Sequence, residues 1–211
     1  MLESNLGVDV DFFAFPYDVF DDASVQHLID EGYVAARAGE RGLNAGDFPD
    51  AFAVGFDTYG PDQSVYSGDI LTAYVDAAIA EGGWAVREFH GVEDSSWESV
   101  PLPEYTAHLD YVVDRIDAGE LWLAPPTEVV HYRFAREACA PTAVGNTVQL
   151  DAPAPGCLDH PSLLTLRLSI PDATGEVTAE QDGQPRPVVD LGANEYLVDL
   201  ANTGGPLTLA Y

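Results

Sequence analysis

The sequence predicts an α/β protein, an incomplete (β/α) barrel over residues 1–139 followed by a small antiparallel β-sandwich over residues 140–211. Three observations predict it. Before Cys139, short apolar runs alternate with stretches of helical period, the pattern of parallel strands joined by crossovers. After Cys139 the segments are short, alternate apolar with polar or acidic residues, and are divided by Gly, Pro and Asn turns, as in an antiparallel module with one solvated face. Between the two patterns runs a Pro-rich connector, CAPTAVGNTVQLDAPAPGC, bracketed by the only two cysteines, Cys139 and Cys157.

The elements follow in order. VDVDFFAF (8–15) reads as a buried strand closed by Pro16. DDASVQHLIDEG (21–32) reads as a helix, its opening Asp and Ser suiting the N-terminal dipole and Gly32 its end. YVAARA (33–38) is a strand, GERGLNAGDFP (39–49) a Gly-rich loop and AFAVGF (51–56) a further short strand. GDILTAYVDAAIAEGG (68–83) places Ile70, Leu71, Tyr74, Ala78 and Ile79 on one face of a helix that a Gly pair ends. WAVREFH (84–90) is the next strand, PEYTAHLDYVVDRIDAG (103–119) a helix, and ELWLA (120–124) a strand with Trp122 in the core. PTEVVHYRFAREA (126–138) is a helix with Pro126 in its first turn. Four or five strands fall short of the roughly seven or eight that close such a barrel, and the deficit is expected upstream of Met1. In the second part TVQLDA, LLTLRLSIP, EVTAEQDG, PVVDL, EYLVDL and PLTLAY are the strands of the sandwich.

Charge bounds the partners. The chain carries 36 Asp and Glu against 8 basic residues, all arginine, for a net charge of −28. The acids are spread, 27 of them before residue 140 and 9 after, so the charge is a coat and not a tail. Such a field repels nucleic acid and anionic membrane surfaces. Loss of every lysine beside an ordinary apolar content of 46% fits adaptation to molar salt, where screening shortens to about 3 Å. A cation-binding or acidic interaction surface is the other reading of the same charge. The start, MLESNLGVDVDF, has neither basic residues nor an apolar core of signal-peptide type, and no apolar stretch approaches the roughly 20 residues of a membrane span. As given, the chain reads as soluble and cytoplasmic in a high-salt environment. Cys139 and Cys157 lack metal-type spacing; two free thiols are expected, with a disulfide as the alternative in an exported protein.

His90 leads the candidate residues, because strand C-termini are where α/β barrels present catalytic groups. Two readings are open: a general acid kept protonated by Glu88, Glu93 and Asp94, or a histidine hydrogen-bonded at a sheet rim. Asp94 is the preferred supporting carboxylate, since alternation does not carry Glu88 to it without twist. Trp97, on a polar acidic loop, offers a stacking face for a sugar ring or anchors its own loop. DTYG (57–60) stands at the end of a strand. His27, His108, His131 and His160 are scattered and read as surface or packing residues. HExxH, GxSxG, a Walker loop and GxGxxG do not occur.

FAFPYD (13–18), GYVAARAGERGLNAG (32–46), Trp84 and His90 at W-x5-H spacing and ELWLAPPTEVVHY (120–132) together resemble polysaccharide deacetylases, the NodB-homology carbohydrate esterases, over residues 1–139. The resemblance implies a barrel of deacetylase type. In that family an aspartate and two histidines, in TFDD and HSxxH motifs, hold a divalent metal such as zinc; metal-bound water attacks an N-acetyl carbonyl and a late histidine protonates the departing amine. Neither motif occurs in these residues, so the resemblance carries over only His90 as the acid and Pro16 with Tyr17 as groove residues. Ala14 or Phe13 stands where an arginine is usual in the groove motif, and Asp18 stands at a common glycine; DTYG (57–60) and Trp97 are each candidates for the Asp–Trp motif that walls the family's groove, neither at its spacing.

The expectation is therefore layered. The family activity is metal-dependent hydrolysis of N-acetyl groups on an amino-sugar polymer, weak or absent in this chain, with no cofactor bound here and a divalent metal only if upstream motifs exist. A carbohydrate-binding remnant using Tyr17 and Trp97 is the alternative, and a structural or assembly role for the sandwich a third. Unpaired barrel edges make a homo-oligomer a further expectation.

Overall fold

The computed structural model describes residues 5, 7, 8, 10–47, 50–60, 62–150 and 156–211. It is a mixed α/β protein with a curled parallel half-barrel sheet and separate antiparallel sheets. The chain divides into two compact units that part between Thr127 and Glu128, earlier than the change of pattern after Cys139.

In the first unit β1 (Phe12–Ala14), β2 (Ala35–Arg41), β3 (Val54–Thr58) and β4 (Arg87–Glu88) lie side by side in sequence order and run parallel. α1 (Asp22–Asp30) connects β1 to β2, and α2 (Ile70–Glu81) connects β3 to β4. α3 (Leu102–Asp117) follows, and α4 (Pro126–Ala138) runs on into the second unit. Capping sets the helix starts. Asp21 accepts the Ser24 amide at 2.8 Å while Ser24 Oγ accepts the Asp21 amide at 2.9 Å, and Asp69 accepts the Thr72 amide at 3.1 Å. Gly82, left-handed at φ 64°, ends α2. The alanines of β2 let α1 close on the sheet, so that Phe15, Leu28, Ala36 and Ala38 form one buried cluster. Ile70, Leu71 and Val100 form a second, with Tyr59, Tyr66 and Phe89 packed against it.

β2 and β3 are not in simple register. Arg37 lies opposite Val54 and Arg41 opposite Phe56, so β2 advances four residues while β3 advances two. This bulge carries β2 through Gly39 to Arg41, into what the sequence marks as a loop. Gly39 is required there, because a Cβ would stand 2.2 Å from the Ala53 carbonyl oxygen. Asn44 then imitates a strand residue: its side chain donates to the Gly55 carbonyl at 2.8 Å and accepts the Gly55 amide at 2.7 Å.

Other strands are shorter than the sequence pattern suggests. The segment 84–90 contributes only Arg87–Glu88 to the ladder, and residues 120–124 form no strand. Among the described residues the sheet ends at β4, so ELWLA meets no strand to extend. Trp122 is accordingly 54% exposed, contrary to the core position expected for it.

The second unit has two antiparallel sheets. One holds β10 (Val188–Gly192), β11 (Glu195–Ala201) and β7 (Leu163–Ser169) in that order. The other orders β5 (Pro141–Val144), β6 (Thr147–Leu150), β12 (Leu207–Ala210), β8 (Thr178–Gln181) and β9 (Gln184–Arg186). Val198 and Leu200 from the first sheet and Val148, Ala179 and Leu207 from the second share one core, which makes the pair a sandwich. The cysteines are bridged, Cys139 to Cys157, correcting the expectation of free thiols. Their Cα atoms lie 4.8 Å apart because Ala135, Cys139, Cys157 and Leu164 pack into one buried cluster. Among the described residues no helix is long and apolar enough to cross a membrane.

Candidate functional site

The four parallel strands bring their C-terminal ends to one side, and a chain of charged side chains runs across that mouth. A single turn of 3-10 helix, Pro16–Asp18, follows β1 and presents Asp18. Asp18 faces both arginines of β2, Arg37 at 3.3 Å and Arg41 at 3.4 Å. Arg37 also donates to Glu88 at the end of β4, and Glu88 lies 3.5 Å from Nδ1 of His90. The β2 bulge makes this convergence: both guanidinium groups lie over the Phe56 ring, 4.1 and 3.9 Å from its centroid, where their charge is held against a π face. All five side chains remain partly open to solvent.

His90 also packs on Trp97, with ring centroids 4.8 Å apart and planes at 34°. The indole is 61% exposed, so it keeps a face for a ligand. A carboxyl group completes the mouth. Glu98 is tucked against Gly60, where an added Cβ would come within 2.2 Å of it. Burial first, and the nearby Asp62 and Glu88 charges after it, raise the Glu98 carboxyl above its ordinary range; His90 and Arg41 act against them. Its Oε2 is buried without a hydrogen-bond partner. The assembled groups can orient an imidazole, accept from hydroxyls and donate from arginine.

The residues singled out in the sequence are distributed unevenly. His90 and Trp97 stand together at the mouth. Pro16 is exposed, and Tyr17, left-handed at φ 57°, has 96% of its surface in solvent. The link between that turn and His90 runs through Asp18, Arg37 and Glu88, and does not use the tyrosine ring. Asp94, expected to support the imidazole, instead accepts from the amide and hydroxyl of Ser96, which hold its carboxyl below the usual range. Glu93 accepts the Leu102 amide at 2.8 Å at the start of α3. Glu88 is therefore the carboxylate beside His90. Asp57, of the DTYG stretch, is fully buried: it accepts Ser64 Oγ at 2.7 Å and the Val65 amide, and faces Arg87 at 3.6 Å.

Arg37, Arg41 and Glu98 escape a sequence reading. The only signal for the arginines is their i, i+4 spacing in a chain with eight basic residues, and the bulge that brings them together is invisible until Gly39 meets Ala53. A second missed pair lies in the other unit, where Nδ1 of His131 and Nδ1 of His160 are 3.0 Å apart.

The divalent metal of the deacetylase mechanism does not fit these residues. The carboxylates of Asp18 and Glu88 face guanidinium groups, whose charge opposes a cation, and among the described residues no group of three His, Cys, Asp or Glu side chains is placed to hold a metal ion. In comparisons with family models, curated proteins and solved structures, nothing matches the chain.

Proposed function

We propose that the chain is a polysaccharide-deacetylase-type protein that binds an N-acetylated amino-sugar polymer at the mouth of its half-barrel and hydrolyses it weakly or not at all. The pairing of His90 with an exposed Trp97, beside Glu88, carries this reading. An indole face receives the apolar side of a sugar ring, while carboxylates and guanidinium groups around it suit hydroxyl and acetamide groups. Glu88, 3.5 Å from Nδ1 of His90, orients the imidazole as a group that protonates a departing amine requires. A water activated by a metal is the step these residues do not supply. Net charge argues for the same partner class: a neutral polymer is not repelled by a −28 surface, whereas nucleic acid is.

Tryptophan fluorescence in molar KCl, titrated with oligomers of N-acetylglucosamine, tests the reading. The protein should bind saturably, and Trp97→Ala should weaken binding about tenfold, the loss of one stacking face. Absence of saturable binding, or equal binding by Trp97→Ala, overturns it. Acetate release measured on the same oligomers with added zinc or cobalt should stay near background; brisk release would reject the weak-hydrolysis half.

A further inference from the structure

A second concave surface lies on the other side of the strand ends. A cleft of about 780 Å³ opens between the first turns of α2 and the face of α3 that carries Glu104, His108 and Tyr111. Its size is that of a small-molecule site. Side-chain alternation separates it from the mouth: Glu88 and His90 join the charged chain described above, while Phe89 packs toward this cleft, with ring centroids 6.3 Å from Tyr59 and 6.2 Å from His108.

The chemistry of the lining is one-sided. Six hydroxyl-bearing residues line the cleft, and four have their proton committed to a carboxylate. Tyr59 donates to Glu104 at 2.6 Å, Thr72 to Asp69 at 3.0 Å, Ser64 to Asp57 at 2.7 Å, and Tyr111 donates to Asp76. What these groups leave to a ligand is lone pairs. Two carboxylates, Asp69 and Glu104, line the cleft, and among the described lining residues there is no arginine. His108 adds no positive charge, because burial and then the neighbouring Arg87 hold its imidazole below the ordinary value. Its Nδ1 is buried without a hydrogen-bond partner. Three tyrosine rings, Tyr59, Tyr66 and Tyr111, complete the lining.

We infer that this cleft binds an organic ammonium ion. An ammonium group brings donors and no acceptor, which matches a lining of lone pairs; its charge meets Asp69 and Glu104, and phenol faces attract cations. In the neutral ring with its proton on Nε2, His108 offers this cleft a buried acceptor that the fold leaves unsatisfied. A carboxylate or phosphate ligand would meet two like charges and few free donors.

Glucosamine and N-acetylglucosamine share ring and hydroxyls but differ in charge at nitrogen, which makes them the probes. Each is titrated near neutral pH at one fixed KCl concentration, and two-dimensional NMR follows the amides of Thr72 and Ala107, inside the cleft and apart from Trp97. Glucosamine should shift both saturably, and N-acetylglucosamine should bind at least about tenfold more weakly. Glu104→Gln, which keeps an acceptor for Tyr59 on an exposed helix start, should weaken glucosamine by about the same factor. Equal binding of the two sugars would make the cleft a polyol site and overturn the inference. So would undiminished binding by Glu104→Gln, or the absence of any shift at the two amides.

Discussion

Replacing Gly39 by alanine probes the bulge that assembles the mouth. The added Cβ would stand 2.2 Å from the Ala53 carbonyl oxygen, 2.7 Å from the Gly55 amide nitrogen and 2.9 Å from the Gly55 Cα, where ordinary contact begins at 3.4 Å. All three atoms are backbone, so no side chain can swing aside, and β3 must move away from β2 by about 1 Å. Overpacking of this kind costs about 1–3 kcal/mol; backbone obstruction places Gly39→Ala near the upper end. For a unit of this size that lowers the melting midpoint by on the order of 10 °C. Urea unfolding in molar KCl measures the loss, with Gly175→Ala as control because nothing lies within 4 Å of a Cβ built there. Hydrogen exchange adds a local readout: the Gly42 amide, which donates to the Phe56 carbonyl at 2.9 Å, should lose protection if the bulge opens. A Gly39→Ala protein with the control's midpoint and a protected Gly42 amide would refute the packing argument.

Three further outcomes are expected. Asp57→Ala leaves the Arg87 side chain, 8% exposed, without its counter-charge, and should cost about 3–5 kcal/mol in the same unfolding assay; a cost below about 1 kcal/mol would show that the pair is dispensable. Burial lowers the folded-state pKa of His108 from its ordinary 6.5, so its contribution to stability is complete above that value and is lost as the pH falls toward the folded pKa; unfolding free energies measured from neutral to mildly acidic pH should decline, and His108→Gln should flatten that part of the curve. Reducing the bridge across its 18-residue separation should destabilise the second unit by about 3 kcal/mol on loop-closure grounds, read as a lowered urea midpoint with a reductant present; an unchanged midpoint would show that the cluster around Ala135 holds without it.

What could be read from the sequence was mostly local. α4 lies where Pro126 and the 3.6-residue period place it, and the six alternating segments after Cys139 include strands of both sheets, because each signal is carried by neighbouring residues. Strand extents were less legible. Of the segment 84–90 only Arg87 and Glu88 are in β4, and of ELWLA no residue is in a strand, since a strand exists only where a partner ladder continues, and that depends on residues far away in sequence. At the mouth, His90 and Trp97 were legible from strand end and loop composition, and their contact was not. Asp94 looked the better neighbour than Glu88, but the Ser96 turn takes its carboxylate and Glu88 stands beside His90. The two arginines depend on a register jump, which changes no residue type in the sequence and so leaves no periodic trace.

The Cys139–Cys157 bridge also fixes how the second unit carries tension. Pulled along its chain, α4 hands the force to Cys139, which passes it through sulfur directly to Cys157 and on toward β7. The β5–β6 hairpin lies within the bypassed segment and bears no load, so it can stay zipped to β12 while the rest of the sandwich yields. Under force the oxidised unit would extend short of its full contour by about 60 Å, the stretched length of the hidden residues. Reduction would release that length, turning a bypassed hairpin into part of the tether.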